Sequence, residues 1–152
     1  MLSRRGFILG AAGLALMGAR RPSPPDPPGA RMTVYKSKSC GCCAKWVEHV
    51  RANGFETTVH DDEEMDRRKD EMGVPLPVRS CHTALVAAYL IEGHVPAGDI
   101  HRLLAERPKI AGLAVPGMPG GTPGMAGSHQ EEGGYEVVAF QVDGSTRVFA
   151  SH

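Results

Sequence analysis

Apolar positions along this chain keep changing their spacing, and the changes divide it into elements. Met32 to Lys36 is short, carries Val34 and Tyr35, and passes into Ser37-Lys38-Ser39, the pattern of a strand running into a loop. Trp46, Val47 and Val50 then recur at helical spacing, with Gly54 placed to cap the helix. Phe55 to His60, with Thr57, Thr58 and Val59, reads as a second strand, parallel to the first if the helix crosses over with the usual right hand. Asp61 to Met72 opens on four acidic residues, continues through Arg67, Arg68 and Lys69, and stops at Gly73 and Pro75. That charge order suits a helix dipole, and the segment is expected to be a solvated helix face and not a calcium loop. Thr83 to Val86 and Tyr89 to Ile91 suggest a hairpin turning at Ala87-Ala88, although neither residue is the glycine or asparagine that tight turns favour. Asp99 is expected to cap a helix with an Ile100, Leu103, Leu104 stripe, closed by Pro108. Gly112 to Gly134 is rich in glycine and proline and reads as one long loop. Tyr135 to Val142, a turn at Asp143-Gly144, and a return through Val148 and Phe149 predict a terminal hairpin that adds one or two strands. The order β-α-β-α-β-β-α plus hairpin predicts an α/β fold of thioredoxin-like type: one domain over residues 31–152, with a mixed central sheet flanked by helices.

The start of the chain does not fit that domain. Ser3-Arg4-Arg5-Gly6-Phe7-Ile8-Leu9 and the apolar run to Ala19 have the order of an export signal, and the paired arginines resemble a twin-arginine signal. The apolar run falls short of the ~20 residues a spanning helix needs. Pro22 to Pro28 holds five prolines in seven residues, which makes a tether and not a core. Residues 1–30 are therefore expected to be signal and tether, and the mature domain to be periplasmic.

Charge narrows the choice of partner. Lys plus Arg and Asp plus Glu both total 17. Without Arg4, Arg5, Arg20, Arg21 and Asp26 the remainder keeps 13 basic and 16 acidic side chains, so nothing points to nucleic acid or an anionic membrane.

The chemistry is concentrated in cysteine. Cys40-Gly41-Cys42-Cys43 contains a C-x-x-C pair with an additional thiol inside it, between a strand and a helix. Helix-terminal N–H groups favour thiolates, and thiolates are what soft metal ions need. In a thioredoxin-like fold Arg79-Ser80-Cys81-His82 would pass beside that helix start and bring Cys81 to the other three. Four thiols exceed what dithiol exchange requires and can bridge several soft ions, of which copper(I) fits best. Three alternatives stay open: a tetrahedral zinc site, against which stands the expected divergence of the adjacent Cys42 and Cys43 side chains; a thiol-disulfide oxidoreductase using Cys40 and Cys43; and two structural disulfides.

The chain resembles the CopG-type copper-resistance proteins of the bacterial periplasm. The likeness rests on Tyr35-Lys36 before Cys40-Gly41-Cys42-Cys43-x-x-Trp46, on Ser80-Cys81-His82-Thr83-Ala84, on Ile91-Glu92-Gly93-His94-Val95-Pro96, and on Gly112 to Pro119 with Pro123-Gly124-Met125. It implies a thioredoxin-like fold, a multinuclear copper cluster bridged by Cys40, Cys42, Cys43 and Cys81, and a role in copper tolerance that can include cycling between Cu(I) and Cu(II), with other periplasmic copper-handling proteins as partners. His82 and Met118 are further candidate ligands. His94 is expected to be structural, and His49, His60, His101, His129 and His152 are spread without ligand spacing. Trp46 is expected in the core, and Met125 as filler under the loop. Lys36 and Lys38 flank the cluster and could favour thiolates, with solvation as the alternative. No catalytic residue is assigned.

Overall fold

The computed structural model describes residues 29–125 and 134–152; the expected signal, most of the tether and His129 lie outside them. The elements among these residues are β1 (Arg31–Lys36), α1 (Gly41–Ala52), β2 (Glu56–Asp61), α2 (Met65–Met72), β3 (His82–Val86), β4 (Tyr89–Glu92), α3 (Ala97–Glu106), β5 (Gly112–Ala114), β6 (Glu136–Phe140) and β7 (Thr146–Ser151), with a 3-10 turn at Leu76–Val78. The strands form one mixed sheet in the order β2-β1-β3-β4-β5-β6-β7. β1 is parallel to β2 and β4 to β5; the other neighbours are antiparallel.

Strand alternation sends successive side chains to opposite faces of this sheet. Met32, Val34, Ala84, Val86, Ile91, Leu113, Val137 and Ala139 point to one face, where Trp46, Val47 and Val50 of α1 and Ile100, Leu103 and Leu104 of α3 complete the main core. Leu90, Ala114 and Phe140 point to the other and pack with Val74 and Val78 beyond the end of α2. The result is the expected single α/β domain with helices on both faces.

Four expectations are corrected. Gly112 to Gly134 is not one loop, because its first three residues form β5 between β4 and β6; Gly112 is there because a Cβ would lie 1.9 Å from the Leu90 carbonyl oxygen. Asp99 is not the cap of α3, whose cap position is Pro96; Asp99 lies in the first turn, where it accepts a hydrogen bond from His152 Nε2 at 2.7 Å. The acidic run is only partly helical: Asp61 ends β2 and α2 begins at Met65. Nor is α2 wholly solvated, since Lys69 is buried at 2% exposure. The Ala87-Ala88 turn forms without glycine because Ala87 accepts the left-handed conformation at φ 50°, at a cost of about 1–2 kcal/mol.

Candidate metal site

Four connections leave the sheet at the same end, and register explains why. Lys36 at the end of β1 lies opposite His82 at the start of β3, Thr83 lies opposite Glu92 at the end of β4, and Glu92 lies opposite Ala114 at the end of β5. The segments after β1, before β3, after β4 and after β5 therefore meet. They carry, in turn, Cys40, Cys42 and Cys43; Cys81; His94; and the glycine-proline loop from Pro116 to Met125.

Cys40 occupies the cap position of α1, with Cys42 and Cys43 in its first turn. The sulfur atoms of Cys40, Cys42, Cys43 and Cys81 all lie within 4.8 Å of one another. Cys40 and Cys43 are joined as a disulfide with Cα atoms 5.3 Å apart, while Cys42 and Cys81 are free. The sulfurs of Cys40 and Cys42 are 3.5 Å apart. The expected divergence of Cys42 and Cys43 does not separate their sulfurs: Cys43 turns inward and is buried, Cys42 stays at the half-exposed rim, and both still reach the cluster.

Cys81 and two histidines form a second set of ligand atoms within 4.8 Å of one another. His94 was expected to be structural, yet its Nε2 is 3.1 Å from the Cys81 sulfur. Its Nδ1 lies 2.7 Å from the Pro123 carbonyl oxygen, which can only accept, so Nδ1 carries the proton and the neutral ring turns a bare Nε2 lone pair toward Cys81. The Cys81 thiol donates to that lone pair. The hairpin is the sequence signal for this meeting: a turn at Ala87-Ala88 sets Thr83 opposite Glu92, so the segments just beyond them, carrying Cys81 and His94, leave the sheet side by side.

His82 is fully buried, its Nδ1 is 3.4 Å from the Cys81 sulfur, and its ring sits 4.3 Å from that of Trp46. Its Nε2 is buried with no hydrogen-bond partner among the described residues, a condition that costs about 1–3 kcal/mol. Trp46 is in the core as expected, and its Nε1–H donates to the Val95 carbonyl at 2.9 Å, which ties α1 to the segment after His94.

Burial sets the protonation of this end of the sheet. It holds His82 well below the ordinary imidazole range, assisted by His94 and Lys69, and it lowers His94 against the opposing hydrogen bond to Pro123. Both rings are neutral at pH 7 and offer lone pairs. Burial, with the neighbouring Cys42, pushes the Cys81 thiol up to about 12. Cys81 is therefore protonated until a bound cation displaces its proton.

The glycine-proline loop folds back over the start of α1. A Cβ on Gly124 would lie 2.7 Å from the Cys42 carbonyl oxygen, 3.0 Å from the Trp46 nitrogen and 3.3 Å from His94 Cε1, and the residue has φ +93°, so only glycine fits without strain. Ser80 Oγ donates to the Gly117 carbonyl on the other side. Met118, the next residue, stays at the surface with 48% exposure. Lys36 does not act as a free charge beside the thiols, because its Nζ is paired with Asp61 at 2.9 Å. Lys38 is held through its backbone N–H, which donates to Glu63 at 3.0 Å.

Sulfur and neutral imidazole, gathered at one end of the sheet, suit a soft cation and not a hard one. The comparisons point to a family. Two solved structures, both named copper resistance protein CopG and distinguished as form 1 and form 2, are each 42% identical to this chain. Each covers 82% of this chain and 98% of its own length, with TM-scores of 0.73 and 0.74. The chain belongs to the CopG copper-resistance family. A family model described as a protein of unknown function, DUF411, matches residues 78–125, the stretch of this CopG-family chain that carries Cys81, His82, His94 and the covering loop. No curated protein matches the chain.

Proposed function

We propose that this chain is a copper-binding protein that holds Cu(I) in a thiolate cluster and serves copper resistance. The observation that carries the proposal is the meeting of four cysteine sulfurs within 4.8 Å, in a chain 42% identical to proteins named for copper resistance. Copper is cargo here. Once the Cys40–Cys43 disulfide is reduced, Cys40, Cys42, Cys43 and Cys81 are its thiolate ligands, His82 and His94 add imidazole, and Met118, on the covering loop, is the thioether candidate. More donor atoms converge than one ion uses, which favours several bridged Cu(I) ions. Four sulfurs at this spread would also fit a single tetrahedral zinc, so donor softness and family membership, and not distance, favour copper. The strand order β2-β1-β3-β4, with C-x-x-C at the start of α1, supports a thioredoxin-like core extended by β5, β6 and β7. The Arg4-Arg5 signal supports export to the periplasm, where the partners would be other copper-handling proteins.

The Cys40–Cys43 disulfide favours a second, redox reading of the same residues. Two Cu(II) ions each take one electron as the Cys40 and Cys43 thiols join in an S–S bond, giving two Cu(I), the disulfide and two protons. A plain thiol-disulfide oxidoreductase would need only that pair.

The test is anaerobic reduction, titration with Cu(I), and metal quantification, repeated with zinc. Binding of more than one copper per chain is expected, with lower stoichiometry in Cys42→Ser and Cys81→Ser. A single zinc that outcompetes copper would overturn the copper assignment. Insulin reduction that survives both substitutions, in a chain that takes up no copper, would leave dithiol exchange in its place.

A further inference from the structure

Lys69 and Glu92 form an ion pair in which neither side chain is more than 2% exposed. Two apolar side chains would fill such a position at equal or better stability, because burying both charges costs most of what their attraction returns. What the carboxylate does with its remaining valences gives the pair its use. Glu92 Oε1 accepts the Ser80 N–H at 2.6 Å, Oε2 accepts the Thr83 hydroxyl at 2.6 Å, and Lys69 Nζ donates to the same Thr83 Oγ1 at 2.8 Å. Ser80 and Thr83 bracket Cys81 and His82. Thr83 and Glu92 sit opposite each other on β3 and β4, on the face away from Trp46, so the grip comes from behind the sheet, while His82 sits near Trp46 and Cys81, just before β3, reaches the Cys42 sulfur at the start of α1. Arg79 extends it: its Nε and Nη2 donate to the Val74 carbonyl at 3.1 and 2.9 Å, and Nη2 also pairs with Asp70 of α2. Lys69 is the buried residue of α2.

We propose that the Lys69–Glu92 pair is a positioning device for metal binding: by gripping Ser80 and Thr83 it fixes the Cys81 sulfur against Cys42 and His94. This rests on the copper-binding function proposed above. Glu92 and Lys69 touch no cargo. They act through the backbone of residues 80 to 83, in the way outer-shell partners orient metal ligands.

The experiment uses the full chain and two double variants. Lys69→Met/Glu92→Leu removes the ion pair and the acceptor for Ser80. Lys69→Met/Glu92→Gln removes the charges but keeps a carbonyl oxygen for the Ser80 N–H and an amide for the Thr83 hydroxyl. Cu(I) affinity is measured by competition with a chromogenic chelator after anaerobic reduction. Separately, in metal-free protein with the Cys40–Cys43 disulfide retained, the alkylation rates of Cys81 and Cys42 are resolved by peptide mass spectrometry. The Leu double variant is expected to bind Cu(I) about 10–100-fold more weakly and to alkylate Cys81 about tenfold faster relative to Cys42. The Gln double variant should stay within about threefold of wild type in both. Equal affinities in all three proteins, or equal losses in both variants, would overturn the proposal. If the Leu variant does not fold, Thr83→Val decides: about threefold faster Cys81 alkylation supports the grip, and an unchanged rate overturns it. A wild type that takes no Cu(I) would refute the copper function and leave the alkylation contrast intact.

Discussion

Replacing Lys69 by Met alone should expose the energy stored in the buried pair. The substitution keeps side-chain length and most of the volume, so the cavity contribution is small. It leaves a carboxylate at 0% exposure with its counter-charge gone. Breaking a buried pair from one side costs about 3–5 kcal/mol. The lower figure applies, because the Ser80 N–H and the Thr83 hydroxyl still donate to the stranded carboxylate. The penalty also depends on pH. Burial already raises Glu92 above the ordinary carboxylate range, and Lys69 opposes that shift. Without Lys69 the folded-state pKa moves further up, away from its unfolded value. A group raised in the folded state contributes stability at pH below its unfolded pKa and loses it as pH climbs to the folded one, at about 1.4 kcal/mol per unit. The difference between wild type and Lys69→Met should therefore be about 3 kcal/mol at pH 7.5 and fall below about 1 kcal/mol near pH 4.5. Urea unfolding of the metal-free protein, followed through the single tryptophan, Trp46, measures both values. A loss under about 1 kcal/mol at pH 7.5, or the same loss at both pH values, would refute the assignment of a charged, buried Glu92.

Two other expectations follow from the same end of the sheet. His82 stays neutral when folded and takes up a proton when unfolded, so stability is complete above its unfolded pKa of about 6.5 and is lost below it at a slope approaching 1.4 kcal/mol per pH unit; acid-limb urea titrations of wild type and His82→Gln should differ by that slope, and parallel curves would show that burial is not suppressing the charge. Gly124→Ala should cost at least about 1–3 kcal/mol for the left-handed backbone alone and lift the loop from the Cys42 carbonyl; hydrogen exchange at Met125, whose N–H bonds the Thr122 carbonyl, reports it, and unchanged protection would mean that the loop is held elsewhere.

Much of the fold was legible because its elements carry local signals. Helical spacing of Trp46, Val47 and Val50 marked α1, and β-prone runs marked β1, β2 and the β3–β4 hairpin. β5 was missed because three residues, Gly112 to Ala114, are too few to show alternation; they are a strand only because β4 and β6 stand on either side. The buried side of α2 is hidden in the sequence for a related reason. In sequence Lys69 is one charge among many, and only the packing of the helix against β3 and β4 supplies a buried Glu92 to receive it.

By itself the sequence determined which atoms could do chemistry: four thiols, their spacing before a helix, and the order of elements that would carry Cys81 toward them. Tertiary structure decided what surrounds those thiols. His94 lies far from Cys40 along the chain and joins the cluster because the β3–β4 pairing ends at Thr83 and Glu92 and brings the segments carrying Cys81 and His94 out together, with the Pro123 carbonyl fixing which nitrogen faces inward. The order of residues records what each side chain is. Which side chain faces which, and in what protonation state, depends on the register of the strands and on the water that packing excludes.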